Sequence, residues 1–221
     1  VSAEAEVRAA APERHVRVRA AVEAHLERLV EHRRVAVCRR ERQHHLVARA
    51  QPLPALRKLA EQGKVRNVGV TGRTLNLLMQ YMNTGEFDTV QMYARFSLVD
   101  YTAKDALIPL AKERNIGIIN SSVLYSGTLA DAPLTTANSD IVAMIRERMQ
   151  QLAFLRQTNE PGGLIEPAMR FSLGNPDIQV TLSGATSPSM IQETMAFCDG
   201  NGLGTSTLNK LYALFDGELF S

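Results

Sequence analysis

The chain has 221 residues, 45% hydrophobic and 22% charged, with a formal charge of +2. This is an ordinary folded composition for one large domain or two small ones, and it excludes global disorder and collagen-like repeats. No apolar run approaches the ~18 residues of a membrane span, the N-terminus lacks the apolar stretch of a secretory signal, and Cys38 and Cys198 form neither a disulfide framework nor zinc-ligand spacing, so the expected setting is cytoplasmic, with no membrane and no metal.

The average charge hides a division. Residues 1–50 hold eleven Arg, eleven Ala, seven Glu and all five His, with no Gly, Lys, Asp, Asn, Ile, Phe or Tyr. Val16, Val18, Val22, Leu26, Leu29 and Val30 fall near helical spacing, as in a basic amphipathic helix that could meet nucleic acid or an acidic surface. No aromatic residue is present to stack bases and no Lys accompanies the Arg, so no nucleic-acid partner is expected. The preferred reading is a segment without an evolved fold, such as GC-rich DNA read out of frame. The expected division is 1–50 and 51–221.

From Leu53 onward helices and strands alternate. LPALRKLAEQG (53–63) places Leu53, Leu56 and Leu59 on one helical face and ends on a glycine. VRNVGVT (65–71) reads as a strand, and TLNLLMQYMNTG (74–85) as a helix ended by Gly85. DTVQMYA (88–94) is a strand. TAKDALIPLAKERN (102–115) is a helix opened by Thr102 with Asp105 in a capping pattern, and Pro109 inside it predicts a kink. GIINSSV (117–123) is apolar on successive residues, as a buried parallel strand requires, and a loop with Gly127 and Pro133 follows. SDIVAMIRERMQQLAFLRQ (139–157), capped by Ser139, and LIEPAMRFSLG (164–174) are helices; IQVTLSG (178–184) is the last strand; PSMIQETMAFCDG (188–200) and STLNKLYALFDG (206–217) are closing helices. Strands separated by helices imply right-handed crossovers and a parallel sheet, either doubly wound or closed as a barrel. No G-x-G-x-x-G and no P-loop is present.

Three stretches carry a resemblance: PALRKLAEQGKVRNVGVTG (54–72), FDTVQMYARFSLVDYTAKDALIPLAKERNIGIINSSVLYSGTLA (87–130) and AMRFSLGNPDIQVTLSGATSPSMIQETMAF (168–197). Together they resemble the C-terminal half of an aldo-keto reductase, nearest the L-galactose, D-threo-aldose and L-fucose dehydrogenase type, over about residues 52–215 and not into 1–50. The motif Arg95-Phe96-Ser97-Leu98-Val99-Asp100 marks that subgroup. The resemblance implies an α/β fold, a partial (β/α)8 TIM barrel. Its strands five to eight and their helices would follow a basic, helical or disordered N-terminal segment, with RRVAVC (33–38) near the fourth strand. It also implies an oxidoreductase that oxidises sugar C1 with a nicotinamide cofactor.

The family transfers protons with a Tyr whose pKa a Lys shifts, backed by an Asp, with a His steering the substrate. The first three belong to the first three βα units, and no His follows residue 50, so no catalytic residue is carried over. Tyr93, Tyr101 and Tyr125 read as packing or rim aromatics. The resemblance assigns cofactor contacts instead. Thr71, Gly72 and Gln91 would bind the nicotinamide carboxamide, and Ser121 stands where a side chain stacks under the ring. Ser122, Leu124, Ser126 and Gly127 would line the pyrophosphate loop. Gly184, Ala185, Thr186, Ser187 and Met190 would surround the adenosine 2′ position, and Glu193 and Thr194 would hold the adenine amine. NADP-preferring members carry Lys and Arg at the positions of Gly184 and Met190, so NAD is expected over NADP. The plain structural explanation of the Gly-Ala-Thr-Ser stretch is a strand-to-helix turn with Ser187 as N-cap.

The leading expectation is a truncated aldose dehydrogenase-like chain, weakly active or inactive by itself, whose substrate is a small sugar or carbonyl. The alternative is a non-catalytic half-barrel that binds partners or self-associates through open barrel edges. A nucleic-acid module built on Arg33, Arg34, Arg39, Arg40 and Arg42 is the least supported.

Overall fold

The structure, a computed structural model, describes residues 52–132, 139–158 and 162–215. The Arg/Ala/His-rich segment, with its helical spacing, its five histidines and RRVAVC (33–38), lies outside the described residues, as does Pro133. The chain divides into two compact units, 1–55 and 56–221, and nearly all described residues lie in the second.

The order is α1 (Pro52–Glu61), β1 (Gly69–Gly72), α2 (Leu75–Met82), β2 (Thr89–Tyr93), α3 (Leu107–Glu113), β3 (Gly117–Ser121), α4 (Ser139–Gln151), α5 (Ile165–Leu173), β4 (Val180–Thr181), α6 (Pro188–Ala196) and α7 (Thr205–Tyr212). The four strands form one sheet, all parallel, in the order β1-β2-β3-β4. Strict sequence order distinguishes the two architectures the pattern left open. A doubly wound sheet reverses its order at a switch point, whereas barrel strands follow one another without reversal. The sheet is four consecutive strands of a (β/α) barrel.

Period-two alternation assigns each strand two faces. Val90 and Met92 of β2 and Ile118 of β3 are buried against the helices, where Leu78 and Met82 of α2, Leu107, Ile108 and Ala111 of α3, and Phe171 of α5 complete the core. Gln91 and Tyr93, and Ile119 and Ser121, occupy the opposite face. An aromatic group closes the helical side: Phe96 stacks on Phe171 at 4.5 Å, and Tyr101 meets Phe171, Tyr212 and Phe215. The Tyr101 hydroxyl donates to the carbonyls of Phe215 at 2.7 Å and Leu211 at 3.2 Å, tying α7 to the loop after β2. Each such ring contributes roughly 1.5–3 kcal/mol by its burial, and Tyr101 serves packing.

Several local expectations are corrected. The stretch 102–115 is not one helix: a 3-10 turn spans Thr102–Lys104, and α3 starts at Leu107 after an Ala106 cap with no side-chain bond. The Thr102 hydroxyl donates to Asp100 at 2.7 Å instead of capping, and Asp105 pairs with Lys104. Pro109 therefore falls in the first turn of α3, where its missing N–H costs nothing and no kink is needed. The strand predicted at 65–71 is Gly69–Gly72, and that at 178–184 is Val180–Thr181. The long helix at 139–157 tightens into a 3-10 turn at Leu152–Leu155, and the Ser139 side chain is outside the described set. Ser187 does cap α6, accepting from the Met190 N–H at 3.3 Å.

Candidate functional site

The C-terminal ends of β1, β2 and β3 open on one side of the sheet because the strands are parallel. Register brings Thr71 beside Gln91, Gly72 beside Met92 and Tyr93 beside Ser121. Side chains then link the strands. Gln91 Nε2 donates to Ser121 Oγ at 3.3 Å, and Ser121 Oγ donates to the Met92 carbonyl at 2.9 Å, so Ser121 is held almost wholly buried.

The loop after β3 is wound tightly. Ser122, Tyr125 and Ser126 all have positive φ (61°, 49° and 55°), as does Gly127 at 88°. Three non-glycine residues in this region within five positions are costly and persist only where the surroundings fix them. Here the Tyr125 N–H bonds the Ser122 carbonyl at 2.9 Å, the Gly127 N–H bonds the Leu124 carbonyl at 3.0 Å, and the Ser126 N–H bonds Ser122 Oγ at 3.2 Å. A Cβ on Gly127 would also stand 3.0 Å from Ala132 Cβ. Leu124, half-buried, fastens the loop to the core.

Four further side chains join this mouth, Tyr93, Arg73, Tyr125 and Arg95, none of them among the expected cofactor contacts. The Tyr93 hydroxyl lies 3.2 Å from Ser126 Oγ, and hydrogen bonding by Ser126 and Ser122, helped by the Arg73 charge, holds the phenol below its ordinary pKa. Arg73, directly after β1, donates to the Tyr125 hydroxyl at 3.3 Å. Burial pushes the Tyr125 pKa up, against the pull of Arg73, so this phenol stays neutral. Arg95 contributes through the backbone: its Nε donates to the Arg73 carbonyl at 2.8 Å while Nη1 pairs with buried Asp100 at 3.1 Å. Asp100 also accepts from the Thr102 N–H at 3.1 Å, and its own N–H and carbonyl bond Ser97. The subgroup motif 95–100 is thus a clamp that fixes the loops after β1 and β2 relative to each other. Contacts across this sequence separation leave no local signal.

The second predicted group lies after β4. Gly184, Ala185 and Thr186 are exposed, and a Cβ on Gly184 would meet nothing within 4 Å. Thr186 Oγ1 reaches Met190 Sδ at 3.4 Å, Thr194 Oγ1 donates to the Met190 carbonyl at 2.7 Å, and Glu193 is exposed. The segment 183–197 contains no Lys or Arg. The donor set could hold an anionic group: hydroxyls and a guanidinium gather at the tight loop, while the β4–α6 turn carries no charged side chain. Among the described residues no three His, Cys, Asp or Glu gather as a metal site, and no helix is long and apolar enough to cross a membrane.

Comparison with known proteins agrees with this architecture. The model of the aldo/keto reductase family matches residues 13–212. That match begins inside the Arg/Ala/His-rich segment, ahead of the three stretches that carry the resemblance. The chain is 26% identical to L-galactose dehydrogenase of Arabidopsis thaliana, covering 76% of this chain and 53% of that protein. It is 26% identical to the NADH-specific methylglyoxal reductase of Escherichia coli, over 66% and 48%. With D-threo-aldose 1-dehydrogenase of a Pseudomonas species it shares 28% identity over 39% and 26%. The chain spans about half the length of the first two relatives. Among solved structures, aldo-keto reductase AKR11C1 from Bacillus halodurans superposes with a TM-score of 0.59 at 17% identity, over 76% of this chain and 57% of that one. An aldo-keto reductase from Klebsiella pneumoniae in complex with NADPH gives 0.53 at 18% identity, over 76% and 54%. The sheet order, the site geometry and the family match lead to one conclusion: the chain belongs to the aldo/keto reductase family.

Proposed function

We propose that this chain is the dinucleotide-holding part of an NAD-dependent oxidoreductase that oxidises the C1 hydroxyl of a small sugar. The observation that carries this reading is the convergence of Gln91, Ser121, Ser122 and Ser126 at the mouth of a parallel sheet in barrel order. Thr71, Gly72 and Gln91 would bind the nicotinamide carboxamide. Ser122, Leu124, Ser126 and Gly127 would follow the pyrophosphate. Gly184, Ala185, Thr186, Ser187, Met190, Glu193 and Thr194 would receive the adenosine. The cofactor supplies the hydride acceptor; these residues bind and orient it and take no proton.

NAD is preferred over NADP on two grounds. The segment 183–197 offers no cation to a 2′-phosphate, and the Escherichia coli relative is NADH-specific by name. The Klebsiella neighbour carries NADPH, but at 18% identity it speaks to the fold alone. Low turnover is expected of these 221 residues by themselves. Of the five tyrosines, Tyr101 and Tyr212 pack in the aromatic group, Tyr81 packs edge-on to Phe87, Tyr125 is buried, and the Tyr93 hydroxyl is directed at the loop serines. None stands as the family's acid/base. Fluorescence titration is expected to give tighter binding of NADH than of NADPH, and an assay with L-galactose or L-fucose and NAD to give little product. Absence of NADH binding, or a clear preference for NADPH, refutes the reading; brisk turnover refutes the low-activity part.

A second reading, self-association, is favoured by exposed apolar side chains at β4 and on α6. Val180 and Leu182 are exposed at and after β4, as are Met190, Ile191 and Met195 of α6, a helix with no buried residue.

A further inference from the structure

We propose that Tyr93 is a phosphate-binding residue of this site, its hydroxyl joining those of Ser122 and Ser126 to hold one phosphate oxygen. The proposal rests on the dinucleotide reading for the identity of that phosphate. Its ground is geometric. Tyr93 is the last residue of β2 and 41% exposed, so its ring reaches past the strand end over the loop that follows β3. There its oxygen sits 3.2 Å from Ser126 Oγ, and Ser122 Oγ is held 3.2 Å from the Ser126 N–H. Three hydroxyls therefore meet on a backbone whose positive φ values at Ser122 and Ser126 are fixed by its own hydrogen bonds.

A solvent-facing tyrosine gains little by bonding a serine that water would satisfy equally, so the exposed cluster is explained poorly as a stability device. It is well made for an anion. Serine and tyrosine hydroxyls rotate to donate, and the Arg73 guanidinium, fixed on the neighbouring Tyr125, adds positive charge on the same side. The Tyr93 phenol reports this field directly. The same Ser126 and Ser122 bonds and the Arg73 charge that lower its pKa stabilise a negative oxygen at this spot, whether phenolate or phosphate. When phosphate binds, its charge disfavours the phenolate, so the pKa of Tyr93 should rise and its hydroxyl should act as donor.

The test uses the whole chain with NADH, inorganic pyrophosphate and nicotinamide riboside, which lacks phosphate. Tyr93→Phe, a variant at an exposed ring, is expected to weaken NADH and pyrophosphate roughly tenfold, as for loss of a bond to a charged group, and to leave nicotinamide riboside unchanged. Ultraviolet titration of the unaltered chain should show its earliest tyrosine ionisation move to higher pH on adding pyrophosphate. Ser126→Ala should weaken pyrophosphate and raise the Tyr93 pKa without any ligand. Equal binding of NADH and pyrophosphate by Tyr93→Phe, or a tyrosine titration that ignores pyrophosphate, overturns the proposal while leaving the dinucleotide reading intact. Pyrophosphate binding that needs Tyr93, in a chain that does not bind NADH, supports the phosphate role and overturns the dinucleotide reading instead.

Discussion

Asp100 is fully buried, and its charge is tolerated there because Arg95 Nη1, the Thr102 N–H and the Thr102 hydroxyl all point at it. Since Arg95 also holds the Arg73 carbonyl, the carboxylate sets where Arg73 stands at the mouth of the site. Asp100→Asn preserves shape but removes the charge that Arg95 needs, and it turns an amide N–H toward donors. A buried pair broken on one side costs about 3 kcal/mol, and urea unfolding should register a loss of that order. NADH binding should weaken as well, because the Arg73 backbone loses its anchor. A loss below about 1 kcal/mol, the range of an exposed pair, would contradict the clamp. The sequence displayed Arg95 and Asp100 as a motif, but only the fold reveals that their task is to join two loops. Tyr93 was visible as a residue and not as a site component, because its partner Ser126 lies 33 positions away.

Elements were legible where one periodicity prevailed and illegible where a tertiary partner outbid a local rule. The helix α2 buries Leu78 and Met82 of its expected apolar face, α5 and α6 form where helices were expected, and the Ser187 cap stands where its residue type predicts. The stretch after Asp100 fails because the buried carboxylate captures Thr102, whose hydroxyl a capping pattern had assigned to a helix end. Gly174 stops α5 as predicted, but its φ is an ordinary −79°. Its real constraint is the Gly202 backbone, 2.6 Å from where a Cβ would stand. On the proposed reading, cofactor preference would turn on the β4–α6 connection. Met190 is 39% exposed in the first turn of α6, and space beside Gly184 is open. Met190→Arg should therefore be accommodated without loss of stability and should raise NADPH affinity about tenfold, the worth of one charge-assisted contact, with NADH nearly unchanged. Unchanged NADPH affinity would mean that the adenosine 2′ position lies elsewhere.

At the scale of the molecule, strand count and parallel direction were readable from alternation, whereas the choice between open sheet and barrel needed the order β1-β2-β3-β4. The family match starts at residue 13, within the stretch that the Arg/Ala/His bias sets apart. The same order has a physical consequence. Among the described residues, β1 pairs only with β2 and β4 only with β3, so two backbone edges lack strand partners. Val180 on β4 is 42% exposed beside the exposed Leu182, which makes that edge apolar as well as open. Such an edge accepts another strand unless a charge obstructs it, and lysine is the residue that most often does so. If this edge carries the self-association proposed above, the sedimentation coefficient of the unaltered chain rises with concentration. Val180→Lys, placed at a solvent-facing position and so harmless to the core, keeps the coefficient at the monomer value throughout. Association that persists undiminished in Val180→Lys moves the contact to another surface, and an unaltered chain that stays monomeric at every concentration removes it altogether.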